Sequence, residues 1–364
     1  MLRLTRLPPG RYAGHVVFSP RGLAAFAWLL TVCTLASAQG GAPTPSAAAP
    51  AQPEWKLSTA LGPAYAQGKA GERWAALIRE RSGGRLAVRH YPGATLFQRD
   101  ASREFAALRD GSITLAVGST LAWSRDVAAL SLIALPWLLP GEQALDALLD
   151  SPIGAELGAQ LEALGVVVVA WASNGFIEIA SKRALRAPAD FAGLRVRTSG
   201  LALLDQTLAR LGATTAAMRG ADARVAALAG SLDAEETTTS AFRASHAAAS
   251  GFSHLQLWGA HGDALVFAVN RQAWMSWSAA DRELVRQAAR DAAAAARALR
   301  VRQGGEAALS EAARQGTTVT RLTEAGKQAF RDATRPVYDQ WAAAIGDDLV
   351  RRAEATIAAA AATR

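Results

Sequence analysis

The chain has 364 residues, 51% hydrophobic and 19% charged, which supplies a substantial core and excludes a disordered class. Of its formal charge of +8, four arginines (Arg3, Arg6, Arg11 and Arg21) lie in the first 38 residues, which hold no Asp or Glu, so residues 39–364 carry only +4. No run of five or six basic residues and no basic–aromatic motif follows, and a nucleic-acid partner is not supported.

Residues 1–38 read as an export signal. A basic segment precedes the apolar run Gly22 to Leu35, and Ala36-Ser37-Ala38 has the small-x-small cleavage pattern. The run is short for a membrane span of about 20 residues. Cys33, the single cysteine, lies inside it, so cleavage after Ala38 leaves neither a disulfide nor a thiolate site. The expected location is the periplasm. Residues 39–54, rich in Ala, Pro and Gly, read as a flexible linker.

Order is expected from Trp55. Lys56 to Ala60 reads as a strand and Gly71 to Ser82 as an amphipathic helix with Trp74, Leu77 and Ile78 inward, closed by Gly83-Gly84. Leu86 to Tyr91 alternates as a strand, Ala101 to Arg109 is helical, and Ile113 to Val117 is an apolar strand of the buried parallel kind. Leu145 to Leu164 is helical and Val166 to Trp171 a buried strand. Leu194 to Arg197 is a further strand with a helix after it through Leu211, Ala221 to Leu228 is helical, and Gly230 to Ala234 returns to a strand edge. Ala264 to Asn270 is a strong β run, and Ser278, with Asp281 and Glu283, caps a long Ala-rich helix reaching beyond Arg300. Strand and helix alternate throughout, which predicts an α/β fold.

Enzymatic constellations are mostly missing. The sequence has no HExxH, CxxC, P-loop or GxSxG. Of the five histidines, His15 leaves with the signal, His90 adjoins a strand end, His246 stands in an Ala-Ser segment, and His254 and His261 lie in a loop-like region broken by Gly259 and Gly262. None has metal-ligand spacing, and no cofactor or metal is implied. The notable residue is Arg197, a permanently charged planar fork on an otherwise apolar strand, suited to the two oxygens of a carboxylate or to a neighbouring Asp or Glu. Glu235 and Glu236, adjacent at a strand-to-loop transition, must point in different directions. Thr237, Thr238, Thr239 and Ser240 supply hydroxyls that suit either a polyoxygenated anion or local turn chemistry.

The order of several segments resembles the substrate-binding proteins of TRAP (tripartite ATP-independent periplasmic) transporters, the dicarboxylate-type (DctP-like) family. Ser82-Gly83-Gly84-Arg85-Leu86 with Tyr91-Pro92-Gly93-Ala94-Thr95-Leu96, Leu108-Arg109-Asp110-Gly111-Ser112, Ala134-Leu135-Pro136-Trp137-Leu138-Leu139, Asn174-Gly175-Phe176, Gly193-Leu194-Arg195-Val196-Arg197 and Leu265 to Asn270 with Trp274 and Asp281-Arg282 occur in that family's order between Trp55 and Val350. The resemblance implies a two-domain periplasmic binding protein of the Venus-flytrap kind, with hinge strands and a long cross-domain helix. The implied domain I is 55–175 plus 263–302, domain II is 176–262 plus 303–350, and 351–364 is a C-terminal tail.

On this resemblance Arg197 pins a ligand carboxylate, Glu236, Thr237, Asn174 and Phe176 surround it, and Trp123 and Trp137 wall the pocket. Trp171 is a further aromatic candidate. Two positions depart from the family pattern. Ile177 stands where many members carry a second arginine, and Thr237 where asparagine is frequent. A ligand with a single carboxylate and apolar atoms near Ile177 is therefore expected. The implied partners are a small organic carboxylate and the TRAP permease subunits, served by a monomeric, non-enzymatic protein. A ligand sensor or scaffold, or an enzyme using Glu235, Glu236 or His254 as a base, are the alternatives.

Overall fold

The computed structural model describes residues 54–362 apart from position 246. The readings of the export signal, of the linker up to position 53, and of His15, Cys33 and His246 lie outside the described residues.

Among the described residues nine strands form one sheet. They are β1 (Trp55–Thr59), β2 (Val88–Pro92), β3 (Leu115–Ser119), β4 (Val166–Ser181), β5 (Arg195–Thr198), β6 (Thr214–Ala217), β7 (Ala234–Thr237), β8 (His254–Asn270) and β9 (Thr318–Arg321). Their order is β2-β1-β3-β8-β4-β7-β5-β6, with β9 paired to the first residues of β8. On one side β1, β2 and β3 run parallel, and on the other β5, β6 and β7 do. The antiparallel pair β4–β8 joins them, running from Val166↔Asn270 at one end to Ser181↔His254 at the other.

Each half buries apolar side chains on both faces of its part of the sheet, as an α/β layer requires. In the first half Leu57, Leu115, Val117 and Phe267 pack against Trp74 and Ile78 of the helix Ala66–Arg81 and against the helix Ala279–Gly304. That 26-residue helix buries Ala288, Ala289, Ala292, Ala293 and Ala296, whose small side chains permit close approach to the sheet. The Trp74 indole donates to the Val285 carbonyl at 3.1 Å and fixes the seam. The opposite face packs on the helices Glu142–Leu149 and Pro152–Ala163. In the second half Ile177, Ile179, Val196 and Trp258 meet the helices Ala202–Arg210 and Glu324–Ile345. The other face, with Ala180, Phe252 and Leu255, is covered by Ala223 and Ala227 of the helix Gly220–Leu228 and by Leu309 of the helix Glu306–Arg314.

Leu145 to Leu164, read as one helix, is two, separated at Asp150-Ser151 ahead of Pro152, and the strand edge read at Gly230 to Ala234 is β7, Ala234–Thr237. Three further differences bear on the hinge and the cores. Val166 to Trp171 continues as strand to Ser181, and His254 to Gly262, read as loop-like, is the first half of β8. Ser173-Asn174-Gly175 and the glycines of 259–262 break the apolar alternation because here both strands leave one core and enter another. Residues 351–362, expected as a tail, belong to the helix Asp347–Ala362, which buries Leu349, Val350, Ala353 and Ile357 in the first half's core together with Tyr338 and Ala342.

Three register shifts interrupt the β4–β8 ladder, at Val168/Ala170, Ser173/Gly175 and Ile177/Ile179. Bulges of this kind bend strands. Gly175 (φ 90°) and Gly259 (φ 65°) adopt the left-handed conformation that glycine supplies without strain. Gly262 is required for a different reason: a Cβ there would lie 2.8 Å from the Ile133 carbonyl oxygen and 2.7 Å from a Leu139 methyl. Gly262→Ala is expected to destabilise the fold by about 1–3 kcal/mol through overpacking, read as a lower urea midpoint with an unchanged m-value.

Candidate functional site

The carboxyl ends of the parallel strands in both halves point at the interrupted stretch of β4 and β8. Ser119, closing β3, pairs with Leu265, and Thr237, closing β7, pairs with Glu178, so both strands end within a few residues of Gly175 and Asp263. In open α/β sheets ligands bind in the crevice beyond such ends. The topology therefore marks this stretch as the place to look for a site.

Arg197 lies at the end of β5, half-buried, with 17% of its side chain exposed. Its Nε–H donates to the Met218 carbonyl at 2.8 Å, which orients the guanidinium plane. Nη1 stands 4.0 Å from Glu236 Oε1, an ion-pair separation too long for a hydrogen bond. The terminal edge is thus pre-oriented for a bidentate contact. Arg195, two residues earlier on the strand, is spent on structure: Nε and Nη2 each bond Asp233 at 2.8 Å, and that carboxyl is held down at about 2, chiefly by the Arg195 hydrogen bond.

The two adjacent acids diverge as expected. Glu235 is directly opposite Arg197 in the β5–β7 register, and burial raises its pKa while Arg197 opposes the rise. Glu236 is buried and accepts the Ser199 N–H through Oε1 at 2.6 Å. Its pKa is also raised by burial, with Arg197 pulling it down. Among the hydroxyls, turn chemistry prevails. Thr237, buried, donates to the Thr238 carbonyl at 3.2 Å, and Thr238 caps the helix Thr239–Ala244 by accepting from Ala241 N at 3.1 Å.

Asn174 belongs to a hub that the sequence reading missed. Its Nδ2 donates to Asp263 Oδ2 at 2.8 Å, while Asp263 Oδ1 accepts from Ser119 Oγ (2.8 Å), Thr120 Oγ1 (2.9 Å) and Leu121 N (3.0 Å). Four donors satisfy a buried carboxylate and tie the end of β3 to both hinge strands. Asp263 falls between the segment read as loop-like and the β run from Ala264, and only the β4–β8 register, Gly175↔Asp263, brings it to the hinge. Phe176 is half-buried beside Asn174 and packs on the first half's core, while Ile177 faces the opposite core.

Trp123 and Trp137 are held mainly by packing against other aromatic side chains. Trp123 is 2% exposed and packs edge-on against Phe105 at 5.3 Å, filling the space left by Gly118, so it is a core residue with no surface for a ligand. Trp137 packs edge-on against Trp258 (6.1 Å) and stacks on Phe330 (6.0 Å). It lines a separate opening of about 500 Å³ with Arg331, Tyr338 and Glu354 of the final helices. Trp171 is half-buried against the first half's core, and its carbonyl accepts from Arg297 Nη2 at 3.4 Å. A further surface cleft of about 710 Å³ runs along β2, but its charged residues Glu54, Glu72, Arg79 and Arg89 face solvent, so size alone does not mark the site.

Of the three bases named for the enzyme alternative, His254 sits at the far end of β8 opposite Ser181, whereas Glu235 and Glu236 lie beside Arg197 with their pKa raised by burial. His261 is fully buried, with Nδ1 2.7 Å from the Ala134 carbonyl, and burial lowers its pKa to about 4. Among the described residues no group of three His, Cys, Asp or Glu could hold a metal ion, and no helix is long and apolar enough to cross a membrane.

Two α/β halves, hinged on shared strands around a cleft with one oriented arginine, define a solute-binding protein that closes on its ligand. Residues 57–344 match bacterial extracellular solute-binding protein, family 7 (DctP), and the chain belongs to this family. It is similar to a TRAP periplasmic solute-binding protein from Ralstonia eutropha H16, solved with (S)-2-hydroxy-2-methyl-3-oxobutanoate ((S)-2-acetolactate) bound. The two share 43% identity with a TM-score of 0.81, over 84% of this chain and 98% of that one. The C4-dicarboxylate-binding periplasmic protein DctP of Rhodobacter capsulatus is 25% identical over 83% of this chain and 90% of its own length. An uncharacterised protein, y4mM, of Sinorhizobium fredii is 28% identical over 74% of this chain, which spans only 49% of that protein's length.

Glu178 provides a test of the electrostatics at the hinge. Buried beside the bulge, it accepts the Gly259 N–H at 3.1 Å, and burial raises its pKa to about 8. A carboxyl that binds its proton more tightly when folded stabilises fully below its unfolded pKa of ~4.3 and loses that contribution as pH rises through the folded value. Glu178→Gln should therefore flatten the fall in stability between about pH 5 and 8, measured by urea unfolding across that range.

Proposed function

We propose that this protein captures a small monocarboxylate bearing apolar substituents in the cleft at Arg197, holds it by closure of the two halves without turnover, and presents it to a TRAP permease outside the cytoplasm. The carrying observation is the Arg197 guanidinium, fixed through Nε by the Met218 carbonyl with its terminal edge turned from any hydrogen-bonding acid. The hinge position that would carry a second arginine is Ile177, buried among apolar side chains with its carbonyl accepting the Trp258 indole at 2.8 Å. A second carboxylate would find no fixed cation there. The similar Ralstonia eutropha protein holds (S)-2-acetolactate, a ligand with one carboxylate and two methyl groups, which supports the same class here.

The halves divide where the ladder shifts, near 173–177 of β4 and 259–263 of β8. Asn174 and Phe176 lie at this division, and Glu236 and Thr237 flank the arginine from the second half. The protein acts as a monomer that exchanges with the permease, because a ligand gripped from two halves is released when they part.

A hydrogen bond to a charged group contributes roughly 1.5–3 kcal/mol. Arg197→Ala should weaken binding of (S)-2-acetolactate by about ten- to a hundredfold in isothermal titration, with an unchanged melting temperature in the absence of ligand. Arg197→Lys should recover part of the loss, since a point charge replaces the fork. In the same titrations succinate, with a second carboxylate, and glucuronate, with a polyhydroxylated ring, should bind more weakly than (S)-2-acetolactate. Tighter binding of either, or full affinity in Arg197→Ala, would overturn the reading.

A further inference from the structure

Besides the proposed ligand arginine, Arg125 spans from one half to the other. Arg125 follows the short helix Thr120–Trp123 at the end of β3 in the first half, and its backbone neighbours are anchored there, with Asp126 N and Val127 N both bonded to the Trp123 carbonyl. Its Nη2 donates to the carbonyls of Ser199 (2.6 Å) and Gly200 (3.0 Å), the two residues that leave β5 in the second half. Both distances are those of sound hydrogen bonds. The receiving turn is shaped for the approach. Gly200 has φ 76°, and a Cβ there would lie 2.9 Å from Ala217 Cβ and 3.5 Å from Arg125 Nη2.

The same turn reaches the ligand site. Ser199 accepts Arg125 through its carbonyl and donates its N–H to Glu236 Oε1 at 2.6 Å, and that oxygen is 4.0 Å from Arg197 Nη1. Arg125, Ser199, Glu236 and Arg197 thus form a continuous chain from the rim of one half to the carboxylate fork of the other. Main-chain carbonyls as acceptors make the contact conditional on the distance between the halves, because the bonds exist only when the turn after β5 stands against the segment after β3.

We propose that Arg125 is a closing latch: a positioning residue that holds the two halves together through the Ser199–Gly200 turn and slows release of the ligand bound at Arg197. The idea rests on the capture reading above for its ligand arm and on the geometry alone for its conformational arm. It assigns to protein–protein contact a part of the closing free energy that the ligand would otherwise supply.

Arg125 is exposed, so its replacement leaves both cores intact. Stopped-flow fluorescence with (S)-2-acetolactate should show dissociation accelerated about tenfold in Arg125→Ala, with the association rate nearly unchanged, and Arg125→Lys intermediate. Spin labels at Arg103→Cys and Arg224→Cys, one on each half, should report a longer mean distance in Arg125→Ala than in otherwise wild-type protein, without ligand. An unchanged dissociation rate together with an unchanged label distance would overturn the latch. Should (S)-2-acetolactate fail to bind any form, the capture reading falls, and the label distance still decides the latch: lengthening supports it and constancy rejects it.

Discussion

The shared ladder between β4 and β8 is the constraint on which the rest of the molecule depends. Two strands of 16 and 17 residues run through both halves, so the sheet is one object while the cores above and below it are four. A continuous ladder alone would make the halves rigid. Three register shifts relieve it, and two of them, Ser173/Gly175 and Ile177/Ile179, fall where the flanking strands β3 and β7 end. The cleft and the hinge are consequences of one arrangement, because the strand ends that supply binding groups stop where the long strands are free to bend.

Polar groups near that line are balanced in pairs and small networks. Asp263 is satisfied by four donors from the first half and β4, and Arg300 of the cross-domain helix lies against Glu142 beside Gly175. Arg297 reaches Asp146 on the same helix seam. Such contacts hold the long helix to the first half, while its final turn meets the second half through Gln303 and Arg243. Against this background Arg197 differs: one N–H is bound to a carbonyl, and its nearest carboxylate stays at ion-pair range. Burial raises the proton affinity of Glu235 and Glu236 beside it, and Arg197 opposes the rise.

Closure then reads as an equilibrium biased from two directions. In the proposed reading a ligand contributes by bridging Arg197 to groups on the first half, and the proposed Arg125 latch contributes whenever the rims meet. Neither contact is large. A few kcal/mol suffices to move such an equilibrium by factors of ten to a thousand, which suits a protein that must both hold and release.

Much of this was legible in the sequence. The apolar runs Ile113–Val117 and Ala264–Asn270 announced buried strands, Ser278 announced the long helix, and Arg197 stood out as a charge on a strand that its neighbours bury. Adjacent Glu235 and Glu236 had to diverge by the two-residue period of a strand, and they do. Local chemistry determines such features, because periodicity, caps and unsatisfied charge are properties of short segments. Tertiary structure decided what depends on pairing between distant segments. Ser173–Gly175 and Gly259–Gly262 look like loops because their side chains serve a bend, and only the opposing strand reveals them as ladder. What Trp123 and Trp137 pack against, Phe105 and Phe330, is likewise set by distant segments. Asp263 and Arg125 carry no local signature at all: their partners lie 89 or more and 74 or more residues away in the chain, and only folding gives them a role.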